Sequence, residues 1–408
     1  MTNSKMDLDY RETKGQSVAF LLNSFPNPSE TFITDEIESL ILLGYKVKVF
    51  SVEKPNNPLI HANAQAILES GIVTYLDEPT PIDKLLALAK LVIQPRKWTT
   101  FKNLDYPRWV KLVALVHSQL ITRSQPDHIH CHYAAFSSQL AHIIGKLEHI
   151  PFSLTTHGYD VFFEPPENYP QLAEDATAII TISDFNRNYL LEKYRLPPKK
   201  LITQRCGIDL DFYETATYKP LCENQSVQLL TVARLHPVKG HKYLLEALAL
   251  LKDQSEFSFN LKLVGDGPLR KELEELCKTL KIENEVHFLG VQNKQEVLEH
   301  LRSAHLFVLP SLSEGIPISL MEAMASHTAV IGPNINGVSE LVSDSSEGIL
   351  FKPGDTESLA AAILNAVSPL TNKQLAEGGF NKVHQNHSLS TNTRRKYSIL
   401  LGTHSDKE

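Results

Sequence analysis

The sequence predicts two doubly wound α/β domains, each a parallel sheet with helices on both faces. Three observations carry this prediction. Short apolar, β-branched segments alternate along the chain with segments of helical period, the pattern of parallel strands joined by crossover helices. The 408 residues exceed what one hydrophobic core usually serves. A polar stretch at 214–226 separates the two halves.

The alternation predicts six strands in each half. In the first half they lie at 17–25, 46–52, 127–133, 152–158, 177–183 and 201–207. In the second half they lie at 227–233, 259–265, 285–290, 305–310, 328–333 and 348–353. Ligands of such sheets bind at the carboxyl ends of the strands, so we expect the functional residues in the loops that follow them.

These strands define the expected domain boundaries. We expect a disordered or loosely attached N-terminus at 1–16, an N-terminal domain at 17–213, a linker at 214–226, a C-terminal domain at 227–385, and a crossover helix with its tail at 386–408. The last helix is expected to return to the first domain.

Composition excludes several classes of function. A net charge of −7 without a long Lys/Arg block gives no attraction to nucleic acid. No C-x-x-C pair occurs among the four cysteines, so free thiols in a reducing compartment are expected. Neither a signal peptide nor a membrane-spanning apolar run is found, and we therefore expect a cytoplasmic protein.

Two loops in the second half carry an anion-binding pattern. Arg234 and Lys239 flank a strand-to-helix turn, where a helix N-terminus also favours anions. Two solvated surface charges are an equally weighted alternative. After the next strand, Gly265, Asp266 and Gly267 open another helix, and glycines there allow a close backbone approach to phosphate or sugar. A plain tight turn is the alternative for this loop.

The same loop argues against a dinucleotide cofactor. A dinucleotide fingerprint needs a third glycine, but Arg270 stands at that position, and no acid ends the following strand. A Walker-type G-x-x-x-x-G-K-[ST] motif is also missing from the sequence. We therefore expect no cofactor.

A pair of carboxylates follows the strand at 305–310. Glu314 precedes a Gly315-Ile316-Pro317 turn, and Glu322 lies eight residues later in an apolar helix. A carboxylate there is costly unless hydrogen bonds reach it. Eight helical residues span about 12 Å, which suits a diphosphate ligand with hydroxyl-bearing rings on both sides. These residues predict a nucleoside diphosphate sugar, and a buried acid bonded to a neighbouring helix or backbone is the alternative for Glu322.

In combination these motifs resemble a known family. The Glu314 and Glu322 pair, VARLHPVKG, LVGDGP and GVSELVSDSSEGILFKPGD closely resemble the retaining glycosyltransferases of family 4, which have the GT-B fold. THGYD, ITISDFNRNYL and CGIDLDFY in the first half fit the same family, and the resemblance covers about residues 17–400. It implies two Rossmann-like domains that face each other across a cleft.

The resemblance also implies roles for individual residues. Arg234 and Lys239 would bind the diphosphate, Glu322 the ribose and Glu314 the transferred sugar. His157 would lie near the anomeric centre; without the family we would interpret it as a hydrogen-bonded histidine that ends a core strand. The expected catalytic residues are His157 and Glu314. The expected donor-binding residues are Arg234, Lys239, Gly265, Asp266, Gly267, Gly315, Ile316, Pro317 and Glu322.

The first strand-to-helix loop departs from the family pattern. Where many members have a glycine pair, this chain has an FPxxSETFI variant similar to the branch that includes colanic acid and other exopolysaccharide glycosyltransferases. Ser29, Glu30 and Thr31 of this loop, together with Asp160, are the expected acceptor-side residues. Ser29 also suits a helix N-cap.

Two patterns could indicate a metal. Asp209 and Asp211 form a D-x-D, and His130 and His132 project to one strand face. The family assigns Asp209 to an interdomain turn, and no third ligand is apparent near the histidines. We therefore expect no bound metal.

The expected activity is transfer of a hexose-type sugar, with retention, from a nucleoside diphosphate sugar to a glycan or lipid-linked acceptor in exopolysaccharide or lipopolysaccharide synthesis. A sugar phosphorylase or epimerase of the same fold, and a catalytically silent partner that binds sugar nucleotides, are the alternatives. The donor base (UDP, GDP or ADP), the sugar and the acceptor stay open.

Residues 84–111 combine both tryptophans of the chain with a cluster of basic residues. Aromatic rings and basic side chains together suit the headgroup level of an anionic membrane, which would place the protein at the inner face of the cell membrane. Core packing of the aromatics with solvated basic residues is an equally weighted alternative. Arg96, Lys97 and Lys102 are the expected membrane contacts.

Overall fold

A computed structural model describes residues 15–27, 30–55, 62–222, 225–254, 257–343 and 345–402. The chain forms two compact units. The first comprises the described residues up to Gln204 together with those from Leu389 onward, and the second is Arg205–Ser388. Residues 205–222, which include most of the expected linker, belong to the second unit.

The first unit contains a seven-stranded sheet in which every pairing is parallel. The strands are β1 (Ser17–Ser24), β2 (Lys46–Glu53), β3 (Val73–Tyr75), β4 (His128–His132), β5 (Phe152–Thr156), β6 (Ala178–Thr181) and β7 (Leu201–Thr203). Their order is β3-β2-β1-β4-β5-β6-β7. The sequence did not predict β3, which has only three half-buried residues.

Helices cover this sheet. They are α1 (Thr31–Leu42), α2 (Ala62–Glu69), α3 (Pro81–Val92), α4 (Pro95–Asn103), α5 (Arg108–Arg123), α6 (Phe136–Glu148), α7 (Tyr169–Asp175) and α8 (Asp184–Tyr194). A π-helical turn, Tyr159–Phe163, follows β5. Clear start signals explain α3, because Pro81 opens it and Thr80 and Asp83 form a reciprocal capping box.

The second unit contains a six-stranded parallel sheet. Its strands are β8 (Val227–Val232), β9 (Phe259–Val264), β10 (Val286–Gly290), β11 (Leu306–Val308), β12 (Ala329–Pro333) and β13 (Ile349–Phe351). Its helices are α9 (His241–Gln254), α10 (Arg270–Thr279), α11 (Lys294–Ser303), α12 (Ile318–Ala325), α13 (Asn336–Leu341), α14 (Thr356–Ala366) and α15 (Pro369–Asn386).

Strand order in the second sheet fixes where a ligand site can form. The order is β10-β9-β8-β11-β12-β13. Strands β9 and β10 therefore extend the sheet on one side of β8, and strands β11 to β13 extend it on the other side. In doubly wound sheets, ligands bind beyond the carboxyl ends of the strands at such a switch point. The loops after β8 and β11 carry Lys239 and Glu314, so the topology brings the two predicted donor-binding loops together.

The last helix, α16 (Leu389–Leu400), packs on α1 of the first unit. Tyr397 is fully buried there, and both its hydroxyl and the Lys396 ammonium donate to Oε1 of Glu36 at 2.7 Å. None of the helices among the described residues has the length and apolarity needed to cross a bilayer.

Candidate active site

Gly240 and backbone hydrogen bonds determine the conformation of the loop after β8. Gly240 adopts φ +63°, and a Cβ there would lie 2.1 Å from the carbonyl oxygen of Pro310. Leu312 donates its backbone N–H to the carbonyl of Val238 at 2.8 Å. The loop therefore packs backbone against backbone on the segment that follows β11, and only glycine fits this contact.

The glycines of the loop after β9 have a packing role as well. A Cβ on Gly265, whose φ is +128°, would lie 2.1 Å from the carbonyl oxygen of Ala233, and one on Gly267 would lie 2.5 Å from that of Leu235. The exposed Asp266 carboxylate accepts the backbone N–H of Gly267 at 2.8 Å. These contacts hold the loop against the one that carries Arg234.

Lys239 and Glu314 form an ion pair at the switch point. The Lys239 Nζ lies 2.7 Å from Glu314 Oε1, and the side chains are only 19% and 9% exposed. Buried Ser311 donates its hydroxyl to the same oxygen at 2.6 Å. By contrast, the Arg234 side chain is exposed and makes no ion pair within the described ranges. The structure thus brings together a carboxylate, an ammonium and a hydroxyl, and the exposed Arg234 belongs to the same loop as Lys239.

The turn after Glu314 lies directly against α13. A Cβ on Gly337 would lie 1.2 Å from the carbonyl oxygen of Gly315, so these two segments are in close backbone contact. Ile316 is buried. Pro317 suits the first helical position, but the structure places it one residue earlier, at the N-cap with ψ 114°, and α12 begins at Ile318. Residues before a helix can adopt this extended conformation, and the ring of proline allows it.

Glu322 lies on α12, whose other side chains are mostly buried and apolar. The hydroxyl of Tyr213 donates to Glu322 Oε1 at 2.8 Å. Tyr213 is 1% exposed and ends the 3₁₀ turn Asp211–Tyr213. This hydrogen bond offsets part of the cost of a carboxylate in an apolar helix. Sequence reasoning missed Tyr213, although it lies in the CGIDLDFY motif.

His157 follows β5 in the first unit and is buried. Its Nε2 lies 3.1 Å from Nδ1 of His132, and its ring packs against Phe32 and Tyr133 with centroid distances of 4.6 Å each. Burial lowers the pKa of His157 well below its ordinary value, and the positive charge of Lys396 acts in the same direction. The imidazole is therefore neutral at neutral pH.

Asp160 fixes the loop that carries His157. Its two carboxylate oxygens accept the backbone N–H groups of Ala134 at 2.8 Å and His157 at 2.9 Å. Burial raises the pKa of Asp160, and these backbone hydrogen bonds counteract the rise. Both oxygens of the carboxylate are thus hydrogen-bonded to the backbone.

The remaining acceptor-side residues lie near the start of α1. Thr31 is the first residue of the helix and Glu30 precedes it, both half-buried. Burial raises the pKa of Glu30, and a hydrogen bond with the Tyr133 side chain lowers it. Ser29, the expected N-cap, lies outside the described residues.

The sequence shows no third ligand near His130 and His132, but the structure supplies one. Glu36 is a third potential ligand, since its carboxylate and the rings of His130 and His132 have donor atoms within 4.8 Å of one another. The Lys396 ammonium already lies 2.7 Å from Glu36 Oε1 and donates to Thr155 at 2.8 Å. Burial alone would raise the pKa of Glu36, but Lys396 and the two histidines hold it well below its usual value. The cluster is thus already neutralised by a protein cation.

The D-x-D pattern lies at the surface. The side chains of Asp209 and Asp211 are both exposed, and Asp211 begins the 3₁₀ turn that presents Tyr213.

Comparison with known proteins gives consistent results for both halves. Residues 29–212 match the model described as Glycosyltransferase Family 4, and residues 218–378 match the model for glycosyl transferases group 1. The chain is 28% identical over 379 residues to the putative colanic acid biosynthesis glycosyltransferase WcaL of Escherichia coli (strain K12), covering 88% of this chain and 92% of that protein. It is also 28% identical to the amylovoran biosynthesis glycosyltransferase AmsK of Erwinia amylovora, over 85% of this chain and 89% of the relative.

Solved structures show the same fold. A glycosyltransferase from Rickettsia africae ESF-5 superimposes with a TM-score of 0.74 at 18% identity, covering 96% of this chain and 100% of that one. Anabaena HepE in complex with UDP-glucose gives a TM-score of 0.70 at 18% identity, covering 95% and 99%. The family models, the full-length relatives and the two parallel sheets agree, and the chain belongs to the GT-B glycosyltransferases, with a family 4 N-terminal half and a group 1 C-terminal half.

Proposed function

We propose that this glycosyltransferase moves a hexose-type sugar, with retention of anomeric configuration, from a nucleoside diphosphate sugar to a glycan or lipid-linked acceptor. The observation that carries the proposal is the Lys239–Glu314 ion pair at the switch point of the second sheet, in which Lys239 shares its loop with the exposed Arg234. A carboxylate suits sugar hydroxyls, and two cations suit a diphosphate.

The proposed reaction breaks the bond between the anomeric carbon and the donor phosphate and forms one to an acceptor hydroxyl oxygen. The departing diphosphate gains negative charge, which Arg234, Lys239 and the backbone N–H groups of Gly315 and Ile316 would stabilise, an electrostatic contribution that is often the largest in catalysis. The acceptor proton passes to the donor phosphate, as the family resemblance implies. Glu314 would bind the transferred sugar, and Glu322, oriented by Tyr213, the ribose hydroxyls.

His157 is proposed as a second catalytic residue. Because its imidazole is held neutral by burial, it can hydrogen-bond to a sugar hydroxyl without carrying charge. Asp160, through its bond to the His157 backbone, would keep this ring in place.

The relatives support the donor class and the biological setting. HepE was solved with UDP-glucose, and WcaL and AmsK are named for colanic acid and amylovoran biosynthesis. We therefore place this chain in exopolysaccharide synthesis with a nucleotide sugar donor.

A panel of UDP-, GDP- and ADP-sugars tests the proposal. Release of nucleoside diphosphate from one donor, with NMR detection of a product that keeps the anomeric configuration, is the expected result. Release that depends on inorganic phosphate and yields a sugar phosphate would indicate a phosphorylase, and conversion of the donor sugar without release would indicate an epimerase. Nucleotide binding without turnover would indicate a silent partner.

A further inference from the structure

Helix α3 of the first unit presents an apolar stripe to solvent. Ile82, Leu85, Leu86, Val92 and the following Ile93 are between 55% and 78% exposed. At 100° per residue, Ile82, Leu86 and Ile93 lie on one line along the helix, flanked by Leu85 and Val92. Large exposed apolar groups are ordinary when scattered, but a contiguous patch indicates an interaction surface.

The opposite face of α3 is packed. Leu91 is 2% exposed and belongs to the core of the first unit, and Leu88 packs against that core. The capping box of Thr80 and Asp83 fixes the start of the helix. Because core contacts and caps hold α3 in place, the outward stripe is a stable property of the fold. We call Ile82, Leu85, Leu86, Val92 and Ile93 the α3 stripe.

Strong positive charge accompanies the α3 stripe. Residues 82–111, which include the whole α3 stripe, contain seven Lys or Arg and two acids, a net charge of +5 (7 − 2) in a chain whose total is −7. Lys90, Arg96 and Lys102 are exposed. Trp109 is 58% exposed and stacks on Phe136. The segment therefore combines apolar, basic and aromatic groups at the surface.

The structure shows that several side chains of residues 84–111 are not available for contact with a membrane. Among the aromatic residues of 84–111, Phe101 and Tyr106 are buried and Trp98 packs against the same core. Lys97 is bound to Glu148 at 2.7 Å. Core packing thus accounts for these side chains, and the exposed apolar surface is provided by the α3 stripe instead.

We infer that α3 lies flat on an anionic lipid bilayer, with the α3 stripe inserted at the boundary between headgroups and acyl chains. The charge favours lipid over a second copy of the chain, because a twofold contact through this surface would bring basic residues close to basic residues. A helix that is apolar outward with basic residues beside it is typical of interfacial binding. Basic side chains near an anionic surface add to this attraction.

Vesicle flotation tests the inference with the full chain. We expect binding to phosphatidylcholine vesicles containing phosphatidylglycerol, weaker binding at high salt, and little binding to pure phosphatidylcholine. The combined substitution Leu85→Glu and Leu86→Glu should weaken binding at least tenfold. Substituting Lys90, Arg96 and Lys102 together by Gln should remove most of the salt dependence.

A matched control lies in the second unit. Leu364 and Leu370 are 48% and 68% exposed, comparable with 55% and 67% for Leu86 and Leu85. Changing both to Glu introduces the same charge and should leave vesicle binding unchanged. Circular dichroism and the urea midpoint verify that each variant is folded, since all four positions are exposed.

Three outcomes would overturn the inference. In the first, the wild-type protein does not float with anionic vesicles at low salt. In the second, both double variants lose binding equally. In the third, the protein forms a concentration-dependent dimer that Leu85→Glu with Leu86→Glu abolishes. The last outcome would assign the stripe to a second copy. Because the assay needs no sugar nucleotide, its failure leaves the proposed glycosyl transfer untouched.

Discussion

Lys239 and Glu314 lie 75 positions apart in the chain, yet their side chains meet at 2.7 Å. Each follows one of the two strands that border the switch point of the second sheet. The pair is largely shielded from water, so its electrostatic interaction is stronger than that of an exposed pair. A substitution of either residue therefore removes the ion-pair partner of the other.

Replacing Glu314 by Gln should chiefly reduce turnover. The amide keeps the size of the side chain but removes the negative charge that we assign to the transferred sugar. We expect kcat to fall roughly 100-fold, the size of effect seen when one transition-state contact is lost, with KM for the donor changed less than threefold. Steady-state kinetics with the donor from the panel measure both.

The control for this variant is a comparable ion pair on the surface. Lys373 and Glu377 on α15 are more than half exposed and 3.7 Å apart. Glu377→Gln should leave kcat and KM unchanged. Wild-type turnover in Glu314→Gln would contradict the role of Glu314.

Glu322 and Tyr213 should act together on donor affinity. If Glu322 accepts ribose hydroxyls, Glu322→Gln should weaken nucleotide binding about tenfold, equivalent to about 1.4 kcal/mol. Tyr213→Phe removes only the hydroxyl that orients the carboxylate, so a smaller loss of about threefold is expected. Isothermal titration calorimetry with the nucleoside diphosphate measures both affinities, and unchanged affinity in Glu322→Gln would refute the ribose assignment.

The fold could be predicted from sequence because its signal is local. Buried parallel strands appear as short β-branched runs, and all twelve predicted runs overlap a strand of the structure. β3 was missed because three half-buried residues leave little pattern. The start of α12 was predictable to within one residue, because the proline that marks it, Pro317, lies at the N-cap.

The site was only partly predictable, because its partners are distant in sequence. Lys239 and Glu314 were predicted as donor contacts, but their ion pair depends on the order of strands in the sheet. The glycines at 265 and 267 were predicted to allow a close backbone approach, but the backbone they lie against, at Ala233 and Leu235, is distant in sequence. Their contact with the donor stays a prediction. Lys396 lies 360 residues from Glu36, and no local pattern links the two.

Chelation should leave activity intact. Arg234 and Lys239 supply positive charge to the diphosphate, and the Lys396 ammonium already contacts the Glu36 carboxylate of the histidine cluster. After exhaustive dialysis against EDTA we expect unchanged kcat and no gain from added Mn²⁺ or Mg²⁺. If activity is lost and Mn²⁺ restores it, comparison of Asp209→Asn with Glu36→Gln would identify which cluster holds the ion.

Lys396 should contribute strongly to stability. Its side chain is 5% exposed, and its removal leaves the Glu36 carboxylate, which is only 13% exposed, without its ammonium partner. Loss of one partner of a buried pair typically costs about 3–5 kcal/mol, so Lys396→Met should lower the free energy of unfolding by that amount at pH 7. Adding Glu36→Gln should recover part of the loss, because the uncompensated charge disappears.

Urea unfolding followed by fluorescence gives these values. Lys373→Met provides the exposed control and should cost less than about 1 kcal/mol. Equal effects of Lys396→Met and Lys373→Met would show that the buried ammonium does not stabilise the first unit.

His241 should make the second unit sensitive to acid. The side chain is 2% exposed, and neither ring nitrogen has a hydrogen-bond partner among the described residues. Burial, and secondarily the charge of Lys239, lowers the pKa of His241 to about 4. The unfolded chain binds a proton near pH 6.5, whereas the folded chain does not until about pH 4, so protonation favours unfolding in this window.

The stability that the neutral His241 provides is therefore complete above pH 6.5 and lost as the pH falls toward 4. The difference between the pKa values of His241 in the unfolded and folded chain corresponds to a loss of roughly 3 kcal/mol in the free energy of unfolding at pH 4. His241→Leu removes the titrating group and keeps an apolar side chain in the site, so its urea midpoint should decline less between pH 7 and 4. His128 and His305 also have pKa values lowered by burial, to about 3 and about 4, so the variant will keep some acid sensitivity. The difference between wild type and His241→Leu isolates the contribution of His241, and parallel pH profiles for the two proteins would contradict the prediction.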